Sequence, residues 1–185
     1  MSNQLRIIGG EWRSRQITFD DAPGLRPTPS RIRETLFNWL QTDISNSRCL
    51  DLFSGSGALS FEAASRGAKR VLQVENNPKT CRKLKENIAV FNAKQIEVVQ
   101  MDAQQFINNC TESFDLIFLD PPFAQGLLPP ICLQIANTGL LAPYGKIYLE
   151  AERSLTLDKL PNVWQLIKHK VAGDVSYNLF QLVLT

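Results

Sequence analysis

Four short acidic motifs stand in order along the chain, and each follows a hydrophobic run of strand length. Asp51-Leu52-Phe53-Ser54-Gly55-Ser56-Gly57 comes first, then Glu75, then Asp102, then Asp120-Pro121-Pro122-Phe123. In an open parallel sheet the residues just past the strand ends line the ligand crevice, so these carboxylates are expected to converge on one sheet edge. The glycine turn is ambiguous when taken alone. Gly55-x-Gly57-x-x-Ser60 approaches a dinucleotide fingerprint, and Glu75 lies near the ribose-binding offset of that motif. Ser60 in place of a third glycine, and Asp51 ahead of the turn, suit an ammonium better than a pyrophosphate. S-adenosylmethionine carries an amino group, a sulfonium and no phosphate. The turn therefore reads as a methyl-donor site, with a dinucleotide site or a merely structural turn as alternatives.

On that reading Asp51 faces the ammonium, and Ser54, Gly55 and Gly57 belong to the turn around it. Glu75 can accept both ribose hydroxyls, or else be a surface acid near the cap of the next helix. Asp102 can accept the adenine amino proton, with the Ala103 backbone N–H beside it. It is also a good helix N-cap, and the two roles can coexist.

Asp120-Pro121-Pro122-Phe123 carries the sharpest signal. Two prolines after a strand set the backbone and remove two N–H donors, leaving carbonyls to accept. An aromatic amine needs acceptors, because its lone pair is delocalised into the ring. Asp120 and the Pro121 carbonyl could each take one amine hydrogen and turn the lone pair outward, while Pro122 stiffens the turn and Phe123 stacks on a flipped base. Orientation and electrostatics would then supply most of the rate gain. The alternative is a strand-ending Pro-Pro turn.

Around these motifs the chain alternates. Two short strands, residues 5–8 and 16–19, flank Gly9-Gly10, and a helix capped by Thr28 or Ser30 with Pro29 runs to about residue 41. Strands are expected at 48–52, 70–75, 96–101, 114–119 and 146–150, with helices at about 57–66, 78–91, 103–109 and 125–137. Residues 162–184 read as a hairpin around Gly173-Asp174. Such alternation with near-continuous apolar strands argues a parallel sheet covered on both faces. The expected organisation is a basic arm, residues 1–27, and one α/β domain, residues 28–185.

The chain has 185 residues and a formal net charge of +2, which alone would not suggest nucleic acid. The distribution says more: residues 1–33 hold six of the eleven arginines (Arg6, Arg13, Arg15, Arg26, Arg31, Arg33) against three acids and no lysine. Arginine is well shaped for phosphate, so these six are candidate RNA contacts, with solvation of the fold as the alternative. Cys49, Cys81, Cys110 and Cys132 are widely spaced and read as free thiols. No His/Cys cluster suggests a metal, and His169, the only histidine, reads as solvated. No signal pattern or membrane-length apolar run occurs, so the cytoplasm is expected.

These residues resemble the S-adenosylmethionine-dependent methyltransferases, and the Asp-Pro-Pro-Phe form resembles their amino-methylating branch. Arg6-Ile7-Ile8-Gly9-Gly10-Glu11-Trp12-Arg13, Arg26-Pro27-Thr28 and the segment from Arg31 to Trp39 are similar to one bacterial family, the 16S ribosomal RNA guanine-N2 methyltransferases of the RsmD type. The resemblance spans nearly all of the chain. It implies a Rossmann-like fold with seven strands, the last antiparallel, plus methylation of one guanine amine in 16S rRNA of the small ribosomal subunit or an assembly intermediate. It also implies Asp51, Gly55, Gly57, Glu75 and Asp102 as donor site and Asp120 to Phe123 as acceptor site. Nothing demands more than a monomer. Rival functions remain: an adenine-N6 methyltransferase on DNA or RNA, a methyltransferase for protein amides, a small NAD-dependent oxidoreductase, and a non-catalytic RNA-binding assembly factor.

Overall fold

A computed structural model describes residues 2–184. A hairpin of β1 (Ser2–Arg6) and β2 (Gln16–Asp20) leads to α1 (Ser30–Trp39). Then follow β3 (Arg48–Asp51), α2 (Ala58–Ser65), β4 (Arg70–Glu75), α3 (Pro78–Phe91), β5 (Ile96–Gln100), α4 (Ala103–Asn109) and β6 (Phe114–Leu119). The chain closes with α5 (Leu128–Thr138), β7 (Leu141–Glu152), β8 (Trp164–Ala172) and β9 (Val175–Leu182). Seven strands form one sheet in the order β5-β4-β3-β6-β7-β9-β8, parallel from β5 to β7, with β9 antiparallel to both neighbours. One apolar layer on each face buries it, which explains why β3, β4 and β6 read as nearly unbroken apolar runs.

Local chemistry explains most boundaries. Asn77 caps α3 by accepting from the Lys79 and Thr80 N–H groups, with Pro78 at the first turn. Asp102 caps α4 in the same way. Other boundaries differ from expectation. The N-cap position of α1 is Pro29, with no side-chain cap, because the Thr28 hydroxyl is spent on a strand carboxylate instead. Helix α5 starts at Leu128 rather than 125, since Ala124 and Gly126 adopt φ of 61° and 62°, outside the right-handed helix. Strand β7 is twelve residues long rather than five; a register shift where it pairs with β6 accommodates the Pro143-Tyr144-Gly145 interruption.

The hairpin packs against the core. Ile7, Trp12 and Ile17 are buried in the same apolar layer as Phe61 and Phe91, and the Trp12 ring meets Phe91 edge-on at 5.2 Å. The first strand ends at Arg6 rather than Ile8 because, once Ile7 has donated to the Arg15 carbonyl at 2.9 Å, the next two N–H groups leave the hairpin. Ile8 and Gly9 donate to the two oxygens of Glu62 on α2, at 3.0 and 2.9 Å. Glu62 is fully buried and also meets Arg33 at 3.3 Å and Arg66 at 2.8 Å. A carboxylate so deep is tolerated only when paired and hydrogen-bonded, and here four donors surround it.

Candidate active site

Strands β3 and β6 are neighbours, yet the chain leaves β3 toward β4 on one side and continues from β6 to β7 on the other. This is the point where the strand order reverses, at which open α/β sheets bind ligands beyond the strand carboxyl ends. Asp51 ends β3 and Asp120 follows β6, so the glycine turn and the Asp-Pro-Pro-Phe turn open side by side.

Asp51 is fully buried. Its Oδ2 accepts from Ser60 Oγ at 2.5 Å, while Oδ1 has no partner among the described residues. Burial pushes its carboxyl up to about 7, with the Glu75 charge adding to the rise and the Ser60 bond opposing it. Ser60, which broke the dinucleotide pattern, is thus the residue that holds Asp51. Ser54 fixes the turn by donating from Oγ to the Asp51 carbonyl at 2.9 Å. Gly55 and Gly57 adopt φ of 52° and 81°, and a Cβ on Gly57 would sit 2.8 Å from Leu84 Cδ2. Glu75 accepts from the Gly55 N–H at 3.0 Å and the Asn77 N–H at 2.9 Å, one bond per oxygen. Each carboxylate oxygen keeps a lone pair for a hydroxyl. Asp102 spends Oδ1 on the α4 cap, with Gln104 and Gln105 donating, and Ala103 begins that helix.

The donor set fits S-adenosylmethionine. An orphaned buried carboxylate oxygen on Asp51 calls for a cation, a turn too tight for side chains admits a close ligand, and Glu75 offers free lone pairs two strands from Asp120. A cavity of about 570 Å³ adjoins this turn, walled by Gly55, Ser56, Asn77 and the arm residues Phe19, Pro23 and Leu25. The arm's contribution to that wall had no signal in sequence.

On the acceptor side Pro121 is buried and Phe123 is 42% exposed, an aromatic face open to solvent. A second cavity, about 400 Å³, runs along Pro121, Phe123, Leu127 and Leu155 to Glu150 and Glu152. The Ala124 N–H donates to Glu152, which ties the turn after Phe123 to β7. Glu150 is 5% exposed and its Oε1 accepts from Thr28 Oγ1 at 2.5 Å and Tyr148 OH at 3.0 Å. Register aligns Leu119 with Leu149, so Asp120 and Glu150 follow side by side on neighbouring strands. Burial, then the Glu150 charge, drives the Asp120 carboxyl well above the ordinary range. Glu150, Tyr148 and Gln73 were missed as site residues. Glu150 did carry a signal, as a fifth acid closing an apolar strand. Gln73, register partner of Asp51 and fully buried with both amide atoms unpartnered, did not.

Of the six arginines, Arg6, Arg13, Arg15, Arg26 and Arg31 are exposed, and Arg15 stacks 3.9 Å over the Phe91 ring. Arg33 is corrected. It is 3% exposed and its guanidinium is spent on Glu62, the Thr28 carbonyl and the Arg6 carbonyl, so it cannot reach a phosphate. His169 is exposed and pairs with Asn178 at 2.7 Å. The four cysteines are free, and no described group of His, Cys, Asp and Glu is arranged to hold a metal ion. No described helix is long and apolar enough to cross a membrane.

The family model described as conserved hypothetical protein 95 matches residues 5–181. The chain is 43% identical over 180 residues to "Ribosomal RNA small subunit methyltransferase D" of Escherichia coli K12, covering 97% of this chain and 91% of that protein. It is 40% identical over 182 residues to the protein of the same name from Haemophilus influenzae, covering 96% and 94%. Among solved structures, the putative methyltransferase yhhF from Escherichia coli superposes with a TM-score of 0.89 at 41% identity, covering 99% of this chain and all of that one.

Proposed function

The chain belongs to the conserved hypothetical protein 95 family, alongside proteins named small-subunit ribosomal RNA methyltransferase D, and on that premise we propose that it methylates the exocyclic N2 of one guanine in 16S rRNA. The observation that carries the reading is the adjacency of the two turns. A cation-seeking donor site at the end of β3 lies beside an amine-seeking acceptor turn at the end of β6.

S-adenosylmethionine, when bound, supplies an electrophilic methyl group on its sulfonium. Asp51 and the turn from Ser54 to Gly57 would hold its amino-acid end, Glu75 its ribose hydroxyls, and Asp102 with Ala103 its adenine edge. Phe123 receives an unstacked guanine on its open face; a base must leave its stack to enter such a pocket. The Asp120 carboxyl and the Pro121 carbonyl accept the two amine hydrogens and turn the nitrogen lone pair toward the donor side. The exposed arginines of the arm, residues 1–27, together with Arg31 at the start of the domain, residues 28–185, grip RNA phosphates. A monomer working on the small subunit or an assembly intermediate in the cytoplasm completes the reading.

The test offers labelled S-adenosylmethionine with small subunits lacking their own modification, free 16S rRNA, or DNA, and identifies the methylated nucleoside by mass spectrometry. N2-methylguanosine from ribosomal particles is expected. N6-methyladenine would keep the acceptor chemistry and overturn the substrate. Donor binding without transfer to any nucleic acid would overturn the reading.

A further inference from the structure

The acceptor turn has a buried partner on the next strand. Asp120 leaves β6 beside Glu150 of β7, and the Glu150 charge opposes ionisation of Asp120. Two ionised carboxylates side by side repel each other, and Glu150 is buried; one proton between them removes half the charge and supplies a bond. The surroundings decide where the remaining charge rests. Thr28 and Tyr148 both donate to Glu150 Oε1, whereas Asp120 accepts from no described residue. The titratable groups facing the pair are Asp51 on β3, Tyr148 on β7 and Tyr177 on β9. Burial and the nearby carboxylate charge raise both phenols, so they stay neutral. No cation faces the pair from these elements.

We propose that Glu150 is a positioning residue for methyl acceptance: anchored by Thr28 and Tyr148, it holds one proton in common with Asp120, so that the pair carries a single charge and Asp120 turns acceptor lone pairs to the amine. The inference rests on the amine-methylating reading above. Asp120 then acts as a fixed hydrogen-bond acceptor rather than a strong base. When the nitrogen gains a methyl group it gives up one hydrogen as a proton. The pair takes that proton, passing from one proton to two and from one negative charge to none, and later releases it to water.

The anchor also reaches the arm. The Thr28 carbonyl accepts from Arg33 Nε at 3.1 Å, and Arg33 in turn holds the Arg6 carbonyl and Glu62. Hairpin, Arg-Pro-Thr segment and acceptor carboxyl thus form one hydrogen-bonded chain, which gives Thr28 a task other than helix capping.

Infrared difference spectra of the full chain, recorded above the range where Asp51 titrates, count protonated carboxyls without RNA or donor. Glu150→Gln and Asp120→Asn are each expected to remove the same single carboxylic-acid band, and the double variant to remove no more. No such band in the native chain, or two independent bands, overturns the shared proton. In the methylation assay Glu150→Gln is expected to lower kcat at least tenfold with S-adenosylmethionine affinity unchanged, and Thr28→Val, which keeps the shape, to lower it by a smaller factor. A Glu150→Gln chain with native kcat overturns the positioning role. The band count decides the pair even if the native chain fails to methylate the RNA offered, a failure that falls on the functional assignment alone.

Discussion

Asp51 is a carboxyl whose charge depends on what it meets. Burial raises it to about 7, so near neutrality the ligand-free protein is only partly ionised there. Between its ordinary value and about 7 the folded state binds more protons than the unfolded one, so this group's contribution to stability falls as pH rises through that window. An ammonium beside Oδ1 would favour the ionised form. S-adenosylmethionine affinity, followed by calorimetry, is therefore expected to rise as pH increases through about 7, and Asp51→Asn to flatten that dependence while stabilising the ligand-free chain above it. Phe123 works differently, through area alone. Stacking of a base on an aromatic side chain contributes about 1–3 kcal/mol. Phe123→Ala should slow methylation by a corresponding factor with donor binding intact; near-native turnover would remove Phe123 from the mechanism.

At the scale of elements, the turn between β3 and α2 and the clamp on α2 set the site's shape. Gly57→Ala places a Cβ against Leu84, Phe61 and Gln73 at positive φ, a conformation costing about 1–2 kcal/mol before any clash. A lowered Tm together with weakened donor binding is expected; an unchanged Tm would show that the turn yields. Glu62 joins hairpin, α1 and α2. Removing one partner of a buried ion pair costs about 3–5 kcal/mol, so Glu62→Ala should show a loss of that order in urea unfolding. The strands of this sheet were legible because burial on both faces writes them as apolar runs, and β4 and β6 match their expected limits. The limits of α1, α5 and β7 were not, because each is decided by a contact or a backbone angle rather than by hydrophobic period: Thr28 turned to Glu150, Ala124 at positive φ, and Tyr144 beside a register shift.

For the molecule as a whole, a formal net charge of +2 hides exposed arginines concentrated on the hairpin, the loop after it and the start of α1. If these arginines grip RNA, binding should weaken steeply with salt, with a slope of roughly 0.9 per phosphate neutralised on a duplex and about 0.7 on a single strand. Joint replacement of Arg13, Arg26 and Arg31 by alanine is expected to flatten that slope and spare donor affinity. Filter-binding titrations at several salt concentrations measure both, and an unchanged slope would move the RNA elsewhere on the surface.

The acidic strand ends, the glycine turn, the Asp-Pro-Pro-Phe turn and the alternation of elements were all determined by sequence, because each is a local pattern of residue types at short spacing. The basic character of residues 1–33 was legible for the same reason. Only the tertiary structure decided what distant residues do to one another. It withdrew Arg33 from the RNA-facing set by burying it against Glu62, spent Thr28 on Glu150, and set Leu25 of the arm against the glycine turn. It also placed Glu150 beside Asp120, a meeting written in the pairing of β6 with β7 and in no stretch of sequence. A carboxylate's charge depends on its burial and on its neighbours, and both are properties of the folded chain.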